Sequence, residues 1–567
     1  MLDHRLTPST NIRSLFNLAK ITSYKITHAK LPQIPSLGKL PQVPSLGTSI
    51  LCLLLLLPCC LLQSIQQSCP SHNEIAPCQC SVKKNGLDIL CEFTDNPRIM
   101  HTMTTLKSKS GLIIFYLKLR HNNLPKLTGF IFFGLDIRHL TIHNSSLAVV
   151  EESSLSSIGK ALTQLDLSQN SLAVVPSPAL KALGHLLILN LNHNKISALH
   201  SKAFEGLDTL EILTIFENKL ILIEPDSFKG LEKKLKRLNL GGNELTRVPQ
   251  KSLSKLENLR KLELLHNRIS SIEDGDFEGL SNLDSLVLSH NQLHSIPKGV
   301  FNHLPLLNSL EIDGNKIHTL DPNAFSGLEA NLQYLRLGDN NLHEVPSDAL
   351  RPLERLRHLD LRANNITSLS DDTFSHYGDS ITFLNLQKNG LKKLPPLVFE
   401  NLNSLEKLNL QNNKLRAISE DIMEPILDTL RDLDLVDNPL VCTCDLMWYK
   451  EWSTSLGEKE DEQMSKKRTV CTLGSNNVHQ REYLVDEPSF ENQFKCKLLL
   501  DKQHLNLHRV PSTASATPLK TSFNRSHLTL LLATLLLTGF QSHLVLLATL
   551  VTALFMRVDR RLHFVFV

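Results

Sequence analysis

The sequence lacks the features of several common protein classes. Its 60 Lys and Arg residues nearly balance 57 Asp and Glu residues, and a net charge of +3 is too small for a protein that binds nucleic acid through bulk charge. Eleven cysteines among 567 residues are too few for a small disulfide scaffold. A chain of this length instead requires several domains or an array of repeats.

Signatures of catalysis are absent as well. The sequence contains no G-x-S-x-G, no H-E-x-x-H, no Walker loop and no C-x-x-C. We therefore predict that the protein is not an enzyme, has no catalytic or metal-binding residues and uses no cofactor.

The first 48 residues form a basic, low-complexity leader in which only Asp3 is acidic. The apolar run that follows, 49–62, is too short to span a bilayer easily. This pattern favours a secretory signal peptide with its core and cleavage region in 49–68. A basic, acid-poor leader is also typical of organellar transit peptides, so that alternative stays open.

A second hydrophobic segment, 527–556, is long enough to form a transmembrane helix. Three arginines follow in the short tail 557–567, and their charge predicts a cytoplasmic location for it. The alternative is a lipid-anchor signal, in which small residues at 512–516 precede a spacer and a tail that is removed. In both cases we predict a Ser/Thr/Pro stalk at 498–526 and an extracellular ectodomain at the plasma membrane.

The strongest pattern is the motif L-x-L-x-x-N-x-L, which recurs every 23 to 25 residues. Its first leucine occurs fourteen times, at Leu117, Leu140, Leu165, Leu189, Leu213, Leu238, Leu262, Leu286, Leu310, Leu335, Leu359, Leu384, Leu408 and Leu433. The second repeat has Ser145 at the asparagine position, and the others have Asn122, Asn170, Asn194, Asn218, Asn243, Asn267, Asn291, Asn315, Asn340, Asn364, Asn389, Asn413 and Asn438. Fifteen residues after the first leucine stands another large apolar residue, which is Phe132, Leu155, Leu180, Phe204, Phe228, Leu253, Phe277, Phe301, Phe325, Leu350, Phe374, Phe399 or Met423.

Each position of the motif has a physical explanation. Leucines two residues apart lie on the same face of a short strand. The asparagine ends the strand, where its amide can bond backbone groups of the turn, and stacked repeats would form a ladder of such amides. One repeat cannot bury both its strand leucines and its other large apolar residue, so neighbouring repeats must stack into one continuous core.

These residues resemble the extracellular leucine-rich repeat family over residues 112–440. The resemblance implies an α/β-type solenoid, a horseshoe of about fourteen repeats whose concave face is a parallel β-sheet. It also implies that the protein works by recognising a partner on that face.

Cysteine clusters at 69–111 and 441–497 resemble the N- and C-terminal disulfide-bonded caps of this family. The pairs that the resemblance implies are Cys69–Cys80, Cys78–Cys91, Cys442–Cys471 and Cys444–Cys496. A zinc site is the alternative, but C-x-C lacks the usual ligand spacing and an exported chain favours disulfides.

The stretch Glu74–Cys80, E-I-A-P-C-Q-C, resembles arthropod leucine-rich surface proteins. These include chaoptin- and connectin-like adhesion proteins and the leucine-rich non-catalytic subunit of oplophorus-luciferin monooxygenase. The hydrophobic segment near the C-terminus departs from the last comparison, because a freely secreted accessory subunit has no anchor.

A partner-binding patch is predicted among the residues that flank the motif leucines on the concave sheet. Its members, from the fourth, fifth, seventh and eighth repeats, are Ile188, Ile212, Thr214, Phe216, Leu265 and Val287. The sixth repeat interrupts it with Arg237, Asn239 and Gly241. Large apolar side chains with no core to fill indicate a contact surface. The alternative is that long neighbouring side chains or a glycan cover them.

Histidine precedes the motif asparagine in four repeats, at His121, His193, His266 and His290. These are either solvated turn residues or, for the last two in adjacent repeats, a metal-binding or pH-sensing pair. Three N-x-[ST] sequences, at Asn144, Asn365 and Asn524, predict N-glycosylation of an exported chain.

Together these features predict a non-enzymatic cell-surface ectodomain that binds a protein ligand or another cell-surface protein. Cell adhesion or matrix contact is the favoured function, and homophilic pairing is one form that it could take. The alternatives are a ligand-binding receptor subunit and a non-catalytic accessory subunit of a secreted enzyme, since repeat architecture does not by itself choose among them.

Overall fold

The computed structural model describes residues 67–109, 111–456, 469–473 and 482–485. The predicted leader, signal-peptide core, stalk, hydrophobic C-terminal segment and tail lie outside these residues. Within the described part of the chain, no helix has the length and apolar character needed to cross a membrane.

The chain divides into two compact units. Among the described residues, the first comprises 67–245 and Lys251–Leu262, and the second comprises Thr246–Gln250 and those from Glu263 onward. The strand β13 (Lys261–Glu263) contains the residues at which the first unit ends and the second resumes.

The strands of the first unit include those that carry the leucine motif. They are β1 (Gln79–Lys83), β2 (Gly86–Glu92), β3 (Ile113–Arg120), β4 (Lys126–Leu127), β5 (Asp136–His143), β6 (Val149–Val150), β7 (Gln164–Asp166), β8 (Ile188–Asn190), β9 (Ala198–Leu199), β10 (Ile212–Thr214), β11 (Leu222–Ile223) and β12 (Arg237–Asn239). β2 and the strands that carry the motif pair in parallel in the order β2-β3-β5-β7-β8-β10-β12. The antiparallel β1 pairs with β2, and two short pairs, β4–β6 and β9–β11, lie outside this sheet.

The second unit repeats this arrangement. Its strands are β14 (Ser285–Val287), β15 (Ser295–Ile296), β16 (Ser309–Glu311), β17 (Thr319–Leu320), β18 (Tyr334–Arg336), β19 (His358–Asp360), β20 (Phe383–Asn385), β21 (Lys407–Asn409), β22 (Asp432–Asp434), β23 (Val470–Thr472) and β24 (Glu482–Leu484). The parallel order is β14-β16-β18-β19-β20-β21-β22, with β15–β17 as a short parallel pair and β23–β24 as an antiparallel one.

Most of the described helices are short, and all but the first follow a strand in the chain. The α-helices are α1 (His72–Ile75), α2 (Asn96–Ser108), α3 (Ser177–Leu180), α4 (Gln250–Leu253), α5 (Ser347–Leu350), α6 (Glu420–Leu427) and α7 (Met447–Ser455). The 3-10 helices are Glu152–Ser154, Ser156–Ile158, Gly378–Ser380 and Cys444–Leu446. The predicted α/β-type solenoid is confirmed in both units.

The pairing register explains the period of the sequence. The first motif leucine of each repeat lies opposite the first leucine of the next, as Leu189 does with Leu213 and Leu335 with Leu359. These leucines are buried, as are the large apolar residues fifteen positions later. In the second unit, Phe301 stacks on Phe277 and Phe325 at centroid distances of 6.0 and 6.2 Å. Stacking identical positions therefore fills the core with one continuous apolar layer in each unit.

The motif asparagines form the predicted ladder of amides. All thirteen are only 5 to 9% exposed. The Asn340 amide donates to the carbonyls of Ile312 and Leu337 at 3.1 Å, and its oxygen accepts the Ile317 N–H at 3.1 Å. The amide thus connects two successive repeats through backbone groups that the strand ladder leaves without partners.

Disulfides hold the segments that flank the repeats. In the first unit, Cys69 bonds Cys80 and Cys78 bonds Cys91 across the β1–β2 hairpin. In the second unit, Cys442 bonds Cys471. Cys444 is also disulfide-bonded, and its expected partner, Cys496, lies outside the described residues.

After the last motif strand, tryptophan side chains pack onto the solenoid of the second unit. Trp448 donates its indole N–H to the carbonyl of Ile418 at 3.0 Å, and Trp452 donates to that of Leu430 at 3.3 Å. Both indoles are buried. These contacts cover apolar surface at the end of the unit while satisfying backbone carbonyls there.

The ladder predicts that two adjacent asparagines contribute very differently to the free energy of unfolding. Asn340→Ala should lower the free energy of unfolding by about 2 kcal/mol, because it leaves buried backbone groups without partners. Asn341→Ala, at the exposed neighbouring position, should change it by less than about 0.5 kcal/mol. Urea denaturation followed by circular dichroism measures both. Equal midpoints for the two variants would contradict the structural role of the ladder.

Candidate functional site

One face of the sheet is available to a partner in each unit. In strands such as Ile188–Asn190 and Ser309–Glu311, the central leucine is buried and its two neighbours are half-buried on the opposite side. We call this side the sheet face, and it comprises the positions one before, one after and three after the first motif leucine. It is the surface on which the sequence predicts that a partner binds.

Four residues of the predicted patch lie on the sheet face of the first unit. Ile188, Ile212, Thr214 and Phe216 are all half-buried, and the register places Ile212 opposite Ile188. Since each packs onto the sheet from outside the core, together they present apolar surface to solvent. We call these four residues the apolar patch.

Neighbouring polar side chains hold two residues of the apolar patch in place. The Phe216 N–H donates to the side-chain oxygen of Asn192 at 2.7 Å, and the Thr214 hydroxyl donates to that of Asn190 at 3.2 Å. The His193 ring packs edge-on against Phe216 at 5.8 Å and pairs with Glu217 at 2.8 Å. These contacts hold Thr214 and Phe216 in one geometry, which reduces the entropy lost on binding.

The two remaining predicted residues belong to the second unit. Leu265 is half-buried on its sheet face. Val287 is only 6% exposed, so the expectation that it presents apolar surface is wrong. Valine is short, and the register places the longer Glu311 beside it.

The sheet face of the second unit carries a network of charges that sequence reasoning missed. We call it the charged strip, and its members are the sheet-face residues Glu311, Asp313, Arg336, Asp360 and Arg362 together with Asp339, which lies in the turn after the strand of Arg336. Arg336 bonds Glu311 at 3.0 Å and lies 3.9 and 4.0 Å from Asp313 and Asp360. Arg362 bonds Asp360 and lies 3.7 and 3.4 Å from Asp313 and Asp339. Each guanidinium therefore faces several carboxylates.

An aromatic row borders the charged strip. Tyr334, His358 and Phe383 occupy the same position in three successive repeats. The His358 ring stacks on Phe383 at 4.1 Å and lies 6.0 Å from the Tyr334 ring, which is 44% exposed. This spacing was visible in the sequence as three aromatic rings one residue before the motif leucine, and it is the signal that could have found the site.

Burial shifts the pKa of two groups at this site. Burial, followed by the charges of Arg336 and Arg362, lowers the pKa of His358 to about 4. Burial raises the pKa of Asp360, against the opposing effect of its hydrogen bond with the Arg362 backbone and of the arginine charges. At neutral pH the imidazole of His358 is therefore uncharged, and the aromatic row adds no positive charge to the strip.

The motif histidines occupy turns. In every repeat the residue before the motif asparagine or Ser145 has a positive φ, from 47° to 68°. The His266 and His290 rings stack in parallel at 4.4 Å, and a Cβ at Gly314 would lie 2.2 Å from His290 Nδ1, so that position requires glycine. Among the described residues, no group of three or more His, Cys, Asp or Glu side chains is arranged to hold a metal ion.

Two of the three predicted glycosylation sites lie within the described residues. Asn365 is exposed and directly follows the buried ladder residue Asn364. Asn144 is exposed, and its amide nitrogen lies 2.9 Å from His121 Nδ1. Asn524 lies outside the described residues.

The shifted pKa of His358 predicts an acid-dependent loss of stability. Its folded pKa lies below the ordinary value of 6.5, so the unfolded chain binds the proton first as the pH falls. This contribution to stability is fully present above about pH 6.5 and is lost as the pH approaches 4. His358→Phe keeps a ring between Tyr334 and Phe383 but removes the titration. Its melting temperature should therefore fall less than that of the wild type over this range, and equal slopes would contradict the assignment.

Comparison with known proteins identifies the repeat. The family model described as leucine rich repeat matches residues 160–220, 184–233, 233–293, 281–330, 330–378 and 379–440. A leucine-rich repeat protein of Leptospira interrogans is 28% identical, with a TM-score of 0.52, over 63% of this chain and 84% of that one. A chain of the TLR13–ssRNA13 complex is 26% identical, with a TM-score of 0.55, over 69% of this chain and 58% of that one.

A chain of the Toll–Spatzle complex of Drosophila has the same fold, with 24% identity and a TM-score of 0.51 over 66% of this chain and 51% of that one. The match thus spans only about half to three fifths of the chains from these two complexes. The repeat motif, the parallel sheets with their asparagine ladder, and these comparisons agree. The chain is a leucine-rich repeat protein.

Proposed function

We propose that this chain is a non-enzymatic cell-surface protein that binds a protein partner through its sheet face and serves in cell adhesion or matrix contact. The observation that carries the proposal is the apolar patch of the first unit. Ile188, Ile212 and Phe216 are large apolar side chains that lie outside the core, where a soluble surface normally carries polar residues. Such anchors contribute most of the energy of protein interfaces.

Three further features support an extracellular binding role. Disulfides are formed on both sides of the repeats, as expected in an oxidising compartment. The leader and the hydrophobic segment 527–556 are expected to export the chain and attach it to the membrane. One similar structure, TLR13, is solved in complex with ssRNA13, so a related solenoid holds a ligand. The nearly even charge of this chain favours protein over RNA as its own ligand.

A cell-aggregation assay tests the proposed function. Cells that display the full chain are mixed with differently labelled cells that lack it. Clusters of displaying cells alone indicate homophilic adhesion, and mixed clusters indicate a partner on ordinary cells. The absence of clusters at normal surface expression would contradict adhesion and would favour a receptor or accessory subunit.

Substitutions in one repeat localise the contact. Phe216→Asp should reduce clustering to the level of cells without the chain, because it places a carboxylate within the apolar patch. Ile221→Asp is the matched control, since Ile221 is 66% exposed in the same repeat but lies away from the sheet face. It should leave clustering unchanged. Equal clustering by both variants at equal surface expression would contradict binding through the patch.

A further inference from the structure

We infer that the charged strip and aromatic row of the second unit bind a cationic segment of the partner, whose lysine or arginine side chains contact the exposed acids and Tyr334. This inference rests on the proposed function, because it concerns the same kind of partner. It goes further by assigning a second contact and the chemistry that this contact recognises.

Charge balance is the first argument. The strip contains the carboxylates of Glu311, Asp313, Asp339 and Asp360 but only two guanidinium groups, and His358 is neutral at pH 7. The excess of two negative charges lies in a small area, since neighbouring strands are about 4.8 Å apart. A partner with positive charge would compensate this excess, and electrostatic complementarity of this kind selects partners and speeds association.

The hydrogen-bond donors of the two arginines give the second argument, because they already point at carboxylates of the strip. Arg362 faces carboxylates with its Nε and both terminal nitrogens, and Arg336 does so with Nε and one terminal nitrogen. An acidic partner would have to compete with these carboxylates for the same donors. A cationic partner would instead add donors to a site that has surplus acceptors.

Exposure shows which acceptors a partner could reach. The side chains of Asp313 and Asp360 are only 8% and 4% exposed, so they hold the arginines in place from beneath. The side chains of Glu311 and Asp339 are 28% and 45% exposed. The buried carboxylates therefore organise the strip, and the exposed ones are available for recognition.

The aromatic row gives the third argument. Tyr334 is exposed next to Arg336 on the same strand, and His358 and Phe383 continue the row across two further strands. A ring face attracts a lysine or arginine cation and also packs against its apolar stem. The acidic strip beside the exposed Tyr334 ring thus matches both parts of a long cationic side chain.

The test uses random peptides displayed on phage and the full chain displayed on cells. Peptides are selected on wild-type cells and then screened against the double variant Glu311→Gln with Asp339→Asn, which removes two charges from the strip. The matched control, Glu354→Gln with Glu400→Gln, removes two charges from exposed positions away from the sheet face. Surface expression is measured for every variant.

Peptides that lose binding in the strip variant, but not in the control, should be enriched in lysine and arginine beside apolar residues. Their affinity should fall about tenfold or more and should weaken as salt is raised. Enrichment of aspartate and glutamate among these peptides, or the absence of any peptide that depends on the strip, would overturn the inference. Phe216→Asp separates the two proposals, since it should abolish cell clustering without affecting strip-dependent peptides.

Discussion

The buried amide of the motif asparagine is the interaction on which the fold depends. A strand of only three residues, such as Tyr334–Arg336, makes few backbone bonds of its own, and the turn after it leaves further N–H and C=O groups inside the protein. Asn340 satisfies such groups in its own repeat and in the one before it. Because burying those groups without partners is costly, repetition of the asparagine is what allows short strands to stack.

Because the asparagine ladder satisfies the buried backbone groups, the side chains of the sheet face are available for recognition. Leucines and the stacked phenylalanines supply the core, so the residues that flank each leucine are not needed to fill it. The two units use this freedom differently. The first presents apolar side chains around Phe216, whereas the second presents ion pairs around Arg336 and Arg362. A rigid scaffold with variable surface residues is a means of binding, and its specificity follows from which side chains stand side by side.

The sequence predicted the features that follow from the period of the repeat. It did not predict those that depend on which side chains lie beside one another in the folded protein. The positions of Leu335 and Asn340 follow from the repeat alone. The burial of Val287 depends on the residues that surround it in the folded unit, and the network around Arg362 joins residues from three repeats. The positive φ before each ladder residue had only a partial signal, since Gly, Asn, Asp and His, which favour it, occur at many of these positions but Gln, Glu, Ala and Lys occur at the others.

The most direct test of binding through the sheet face is a glycan placed on it. Ile212→Asn creates a glycosylation sequence with Thr214 on the strand of the apolar patch. Lys195→Asn creates one with Ser197, directly after ladder residue Asn194, where the natural Asn365 stands in its own repeat. With both glycans verified by mobility shift, the first should eliminate clustering of cells that display the chain, and the second should leave it intact. Normal clustering with a glycan at position 212 would contradict recognition by the sheet face.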